Sequence, residues 1–156
     1  MFGTELMEVV DAGSGLVVGT VGPDGEPRAT RAWAVTVTDA ASCRIRVVMS
    51  ADDRTGVDNL ATGRITVTGA DVATLRAVQL KGHVVAVRPA DPDDVDVMIR
   101  HSSTFFRAVH DVDGNPMALL ERMLPTEIVV VDVVVDEVFD QTPGPTAGSA
   151  VSGAGS

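Results

Sequence analysis

The sequence predicts a mainly β protein: a small barrel of six strands, mostly antiparallel, with short helices at the connections. Three observations carry this. Valine-rich runs at 129–131 and 133–135 concentrate β-branched side chains, which pack well on a pleated sheet. Aromatic residues are only 3% of a chain that is 45% hydrophobic, so the core is aliphatic. Several stretches alternate apolar and polar residues between Gly-, Pro- and Asp-rich turns, the period of a half-buried strand. Closing such a sheet removes its vulnerable edges. At 156 residues one domain is expected, assigned to 1–141. The remainder, 142–156, is almost all Pro, Gly, Ala, Ser and Thr and is expected to be a flexible tail, with 139–145 able to dock.

The elements follow in order. Residues 4–13 read as a short amphipathic helix stopped by Gly13, with Phe2, Leu6, Val9 and Val10 as its buried stripe. A strand at 15–21 leads through Gly22-Pro23-Asp24-Gly25, a turn sequence, into an extended run at 27–38. Strict alternation there puts Arg31, Trp33, Val35 and Val37 on one face, and Arg28, Thr30, Ala32, Ala34 and Thr36 on the other. A third strand spans 43–50, with Cys43, Ile45, Val47 and Met49 inward. A short helix around 56–61 precedes a strand at 64–68. The run 75–88 is β-like but interrupted by Gly82, the mark of a bulge or of a close backbone approach. A helix capped by Asp91, with Pro92 at its first position, is expected to end near Ile99 or Arg100. The segment 102–124 reads as helical, split by a turn at 113–116. A last strand at 126–139 has Val129, Val131, Val133 and Val135 on one wholly apolar face.

The net charge of −10 argues against a general nucleic-acid binder. A single cysteine, Cys43, excludes an intramolecular disulfide. No membrane-length apolar run and no signal-peptide pattern are present, so a cytoplasmic protein is expected. His83, His101 and His110 lack metal-ligand spacing, and no metal site is expected.

The richest stretch for chemistry is 47–68. Met49 and Ser50 end a strand, a polar corner carries Arg54 and Thr55, and a helix begins there. Hydroxyls, a guanidinium and free helical N–H groups at such a corner suit a phosphate. Asp52 and Asp53 read as caps of that helix rather than as acid–base residues.

Four stretches in this order resemble the split β-barrel of the pyridoxamine 5′-phosphate oxidase-like family of flavin-binding proteins. They are 17–21 leading through 23–25 to 27–30; Met49-Ser50 with Arg54-Thr55; Asn59-Leu60 before Arg64-Ile65; and 78–82, Val-Gln-Leu-Lys-Gly. The resemblance covers about residues 4–140 and implies an FMN-binding, six-stranded antiparallel split barrel. It further implies FMN in a groove between the two subunits of a homodimer. Arg54, Thr55 and Ser50, beside Met49, would meet the phosphate; Arg28, Ala29, Thr30 and Arg31 would line the ribityl chain and ring; Gln79 would lie near either. Arg28 and Arg31 point to opposite faces of one strand, and the sequence does not choose between them. The oxidase's basic C-terminal segment is absent, so the resemblance does not extend to vitamin B6 oxidation. The reading is therefore an FMN-dependent oxidoreductase acting on a small molecule. The alternatives are a deazaflavin-dependent reductase on the same fold, or a non-catalytic flavin- or haem-binding dimeric module with His83 or His101 as the haem ligand.

Overall fold

Six strands close into one barrel in the computed structural model, which describes residues 3–11 and 13–151. The elements are α1 (Thr4–Asp11), β1 (Gly15–Val21), β2 (Pro27–Asp39), β3 (Arg44–Ser50), α2 (Arg54–Asn59), β4 (Arg64–Ala70), β5 (Ala77–Pro89), α3 (Pro92–Asp113), α4 (Met117–Glu121) and β6 (Ile128–Asp140). Every neighbouring pair is antiparallel, in the order β1-β2-β3-β6-β5-β4, with β4 closing onto β1. This is the architecture the sequence predicts.

The interior is aliphatic. Leu16 and Val18, Ile45, Val47 and Met49, Ile65 and Val67, Leu80, and alternate valines of β6 fill it. Of the stripe expected on α1, Leu6, Val9 and Val10 are buried at one end of the barrel; Phe2 lies outside the described residues. Gly13 ends α1 at φ 69°. The β1–β2 turn closes through Gly22 N–H to Glu26 O and Gly25 N–H to Gly22 O, with Gly25 at φ 85°.

Strict alternation fails at two places in β2, at Trp33 and again between Val37 and Asp39. The register passes from Ala32↔Met49 to Ala34↔Val48, so Trp33 is an extra, bulged residue. Ala32 and Val35 therefore face the interior, while Trp33 and Ala34 face outward. The single face expected for Arg31, Trp33, Val35 and Val37 is corrected accordingly. Cys43 is buried but precedes β3, in a turn at φ 53°, rather than beginning that strand.

A second correction concerns α3. It does not end near residue 100 but continues to Asp113, where Gly114 at φ 72° stops it. Met98, Ser102 and Phe106, four residues apart, bury one stripe against Trp33, Ala34 and Val48. That second core outweighs the weak helix propensity of Ser102-Ser103-Thr104. At its start Asp91 and Asp94 form a reciprocal capping box, and Arg88 donates to both oxygens of Asp94 at 2.6 and 3.0 Å.

The Arg88 hydrogen bonds hold the Asp94 carboxyl below the ordinary carboxylate range. A carboxyl more acidic folded than unfolded contributes stability that is present above the unfolded value and lost as pH falls through the folded one. The urea midpoint should fall as pH is lowered below about 4, and fall less in Asp94→Asn. Asp94→Ala should cost about 2–3 kcal/mol at neutral pH, since it removes both a cap and a buried partner of Arg88. A midpoint unmoved by this substitution would contradict the arrangement.

After β6 the chain turns back on the barrel. Gln141 N–H donates to Ala77 O, Gly148 N–H to Asp140 O, and Val151 N–H to Val138 O, while Ala150 bridges Phe139. The part of the 142–156 segment up to Val151 thus lies along β5 and β6, and 152–156 fall outside the described residues.

Candidate functional site

The outward face of β2, β1, β4 and β5 forms a platform. Register places Arg31, Val17, Thr68, Gln79 and Phe139 in one row, and Ala29, Gly19, Thr66, Lys81 and Glu137 in the next. Paired residues share a face. Over the second row and the strand ends beyond it lies an open groove of about 700 Å³. Its floor is small and apolar, with Gly19, Val21, Pro27 and Ala29; its walls carry Arg28, Arg64, Lys81 and His83, with Asp136 and Glu137 beside the last two. A Cβ on Gly19 would sit 2.4 Å from Thr66 Oγ1, so glycine keeps this floor flat. A shallower depression beside Gly22, Pro23 and Asn59 shares Pro27, Arg28 and Ala29 with the groove and adds Thr55.

The structure brings only some of the expected site residues together. Arg28, Ala29 and Thr55 converge on these two connected hollows. Arg28 is committed: its Nε and Nη2 donate to Asp53 Oδ1 at 2.8 and 2.5 Å. Asp53 also caps α2 by accepting from Gly56 N–H, as the sequence suggests for this residue. Burial pushes the Asp53 carboxyl up, but hydrogen bonds from Arg28, Thr30 and Gly56 outweigh it and hold it below the ordinary range. Thr30 thus serves the ion pair, half-buried beside it. Arg54 is exposed at the first position of α2; its backbone N–H donates to Asp52 O, and its guanidinium makes no hydrogen bond among the described residues. Ser50 is half-buried, and its hydroxyl accepts from Asp52 N–H at 3.2 Å.

Three expected residues lie elsewhere. Met49 is fully buried inside the barrel, so its side chain touches no surface. Gln79 lies in the neighbouring row and donates to Thr68 Oγ1 at 3.3 Å. Arg31 shares that row, its guanidinium 4.6 Å from the ring centroids of both Trp33 and Phe105. Burial lowers its pKa, and no carboxylate pairs with it among the described residues. The two arginines that the sequence leaves open are separated by the structure: Arg28 lines the groove, and Arg31 is stacked under α3. The sequence reading did not place Arg64, Lys81, Asp136 or Glu137 at a site, and it named His83 only as a haem ligand of the alternative module. The signal for two of them was present, because Gln79, Lys81 and His83 alternate on one strand face.

No His, Cys, Asp or Glu cluster able to hold a metal occurs among the described residues, and no helix there is long and apolar enough to cross a membrane.

With this geometry the chain has the split β-barrel fold of pyridoxamine 5′-phosphate oxidase-like proteins. The solved structures it is similar to include HupZ of Group A Streptococcus, at 15% identity and TM-score 0.59, covering 95% of this chain and 100% of that one. They also include a Lactobacillus delbrueckii protein named after pyridoxamine 5′-phosphate oxidase, at 18% identity and TM-score 0.55, covering 88% and 93%. An F420 reductase is as similar in fold, at 14% identity and TM-score 0.55, covering 84% and 93%. No family model matches the sequence, and no curated protein is similar to it.

Proposed function

We propose that this chain is a flavin-dependent oxidoreductase that holds FMN in the groove on the outer face of β1, β2, β4 and β5 and acts on a small molecule there. The observation that carries this reading is the convergence of Arg28 and Ala29 with Thr55, distant from them in sequence, on adjoining hollows with a small apolar floor and walls of mixed charge, where Arg64 and Lys81 supply the cations. FMN is a planar, largely apolar ring joined to a phosphate, and such a surface fits both halves. Gly19, Pro27 and Ala29 would lie against the ring through backbone and aliphatic contacts. Thr55 and the exposed Arg54 would meet the phosphate, because the Arg28 charge is already offset by Asp53. When bound, the flavin supplies the hydride and electron transfer, and the chain supplies position, electrostatics and exclusion of water.

In this reading a second copy of the chain covers the open side of the groove. Val17, 47% exposed in the row beside it, supports such a partner. A monomeric mass in light scattering at micromolar concentration would contradict that part.

The test is the visible spectrum of the purified protein followed by separate titrations with FMN and F420. The fold's likeness to an F420 reductase makes the deazaflavin the competing ligand. Saturable FMN binding supports the reading; binding of F420 alone moves the groove to the deazaflavin. Arg54→Ala should weaken FMN binding by about 1.5–3 kcal/mol, the range of a charge-assisted hydrogen bond. An unchanged dissociation constant would place the phosphate elsewhere.

A further inference from the structure

A bulge between β5 and β6 puts a histidine–carboxylate pair into the groove, and binding the cofactor leaves that pair unused. The register passes from Lys81↔Glu137 to Gly82↔Val135, so Asp136 is the extra residue. Val135 and Val138 both pack inward, while Asp136 and Glu137 both line the groove. Bulges re-aim side chains in this way beside functional sites. The re-aimed carboxylate meets a neighbour on β5: His83 Nδ1 lies 3.0 Å from Asp136 Oδ2. Gly82 permits the close approach, since a Cβ there would sit 2.1 Å from the Val134 carbonyl oxygen. The two side chains are 53% and 54% exposed, so a ligand in the groove can reach them.

A carboxylate on Nδ1 fixes the imidazole as the Nδ1–H tautomer and leaves Nε2 to give or take a proton. No hydrogen bond to Nε2 is made among the described residues. The other charged groups around the groove are Arg64, opposite His83 on β4, Lys81 on β5, Glu137 on β6 and Arg28 on β2.

We propose that His83 is the proton-transfer residue of the reaction in this groove and that Asp136 is its positioning residue. This rests on the flavin reading above. The substrate class it suits is a quinone or a conjugated carbonyl compound, whose reduction by hydride alone would leave an oxyanion. With the hydride and its two electrons supplied by reduced flavin, a proton would leave Nε2 of the imidazolium form of His83 for the oxygen, giving the neutral Nδ1–H imidazole. The acceptor gains two hydrogens, the flavin ends oxidised, and the neutral imidazole regains its proton from water. Asp136 keeps the Nδ1 proton in place throughout.

Two readouts test this. The first needs no cofactor: ¹⁵N NMR of the imidazole at pH above its titration. The wild-type protein should show His83 as the Nδ1–H tautomer, and Asp136→Asn should convert it to Nε2–H. An Nε2–H tautomer in the wild type overturns the role of Asp136. The second is oxidation of the dithionite-reduced, FMN-loaded protein by menadione. His83→Gln should slow it about a hundredfold and Asp136→Asn about tenfold, with FMN affinity within about threefold of wild type. A full rate in FMN-loaded His83→Gln overturns the proton-transfer role while leaving the flavin reading intact. A wild-type protein that binds no FMN overturns the flavin reading and this role with it, whatever the tautomer.

Discussion

Gly82→Ala is expected to destabilise the protein by about 3 kcal/mol, at the upper end of overpacking costs. The added Cβ would meet the Val134 carbonyl oxygen at 2.1 Å and the Val134 carbonyl carbon and Val135 Cα at 3.0 Å. These are backbone atoms of the facing strand, so no side-chain rotation relieves the contact. The chain must either open the bulge or separate β5 from β6, the strand that carries Asp136. The substitution should therefore lower the urea midpoint and also disturb His83. Alanine at the other strand glycine of the platform makes a useful contrast. At Gly19 the nearest atom is the Thr66 hydroxyl, which can rotate away. Equal stabilities for Gly82→Ala and the wild type would mean that the bulge does not need its glycine.

Ala29→Trp is expected to abolish cofactor binding while leaving the fold intact. Ala29 is exposed and borders both the groove and the depression beside Thr55. An indole there would occupy the floor on which the flavin ring is proposed to lie. It should raise the FMN dissociation constant about a hundredfold or more, ~2.8 kcal/mol. The far-ultraviolet spectrum and urea midpoint should hold, because no buried contact is lost. Normal FMN binding by this variant would place the cofactor on another face.

The barrel was legible because its signals are local. The Gly22–Gly25 turn, the valine alternation of β6 and the glycine inside β5 each have a fixed physical meaning that needs no tertiary context. What the sequence did not reveal depends on contacts between distant segments. The bulge at Trp33 exists because α3 offers an apolar stripe for both Trp33 and Ala34, which strict alternation cannot serve together. The same stripe carries α3 past Ser102 to Asp113. At the site, the family resemblance pointed to Arg28, Ala29 and Thr55, and the geometry gathers them. The sequence could not reveal that Asp53, read as a helix cap, is also the partner of Arg28. Nor could it place Asp136 over His83, because a one-residue register shift moves a side chain to the other face and leaves no mark in β6 itself.

The most direct measurement is titration of the wild-type protein with FMN and with F420, followed by absorbance and by quenching of cofactor fluorescence. Saturable binding of FMN at one per chain, with a dissociation constant of about 1 μM or tighter, lost in Ala29→Trp and weakened in Arg54→Ala, is the predicted result. Failure of the wild-type protein to bind either cofactor would contradict the assignment of this groove.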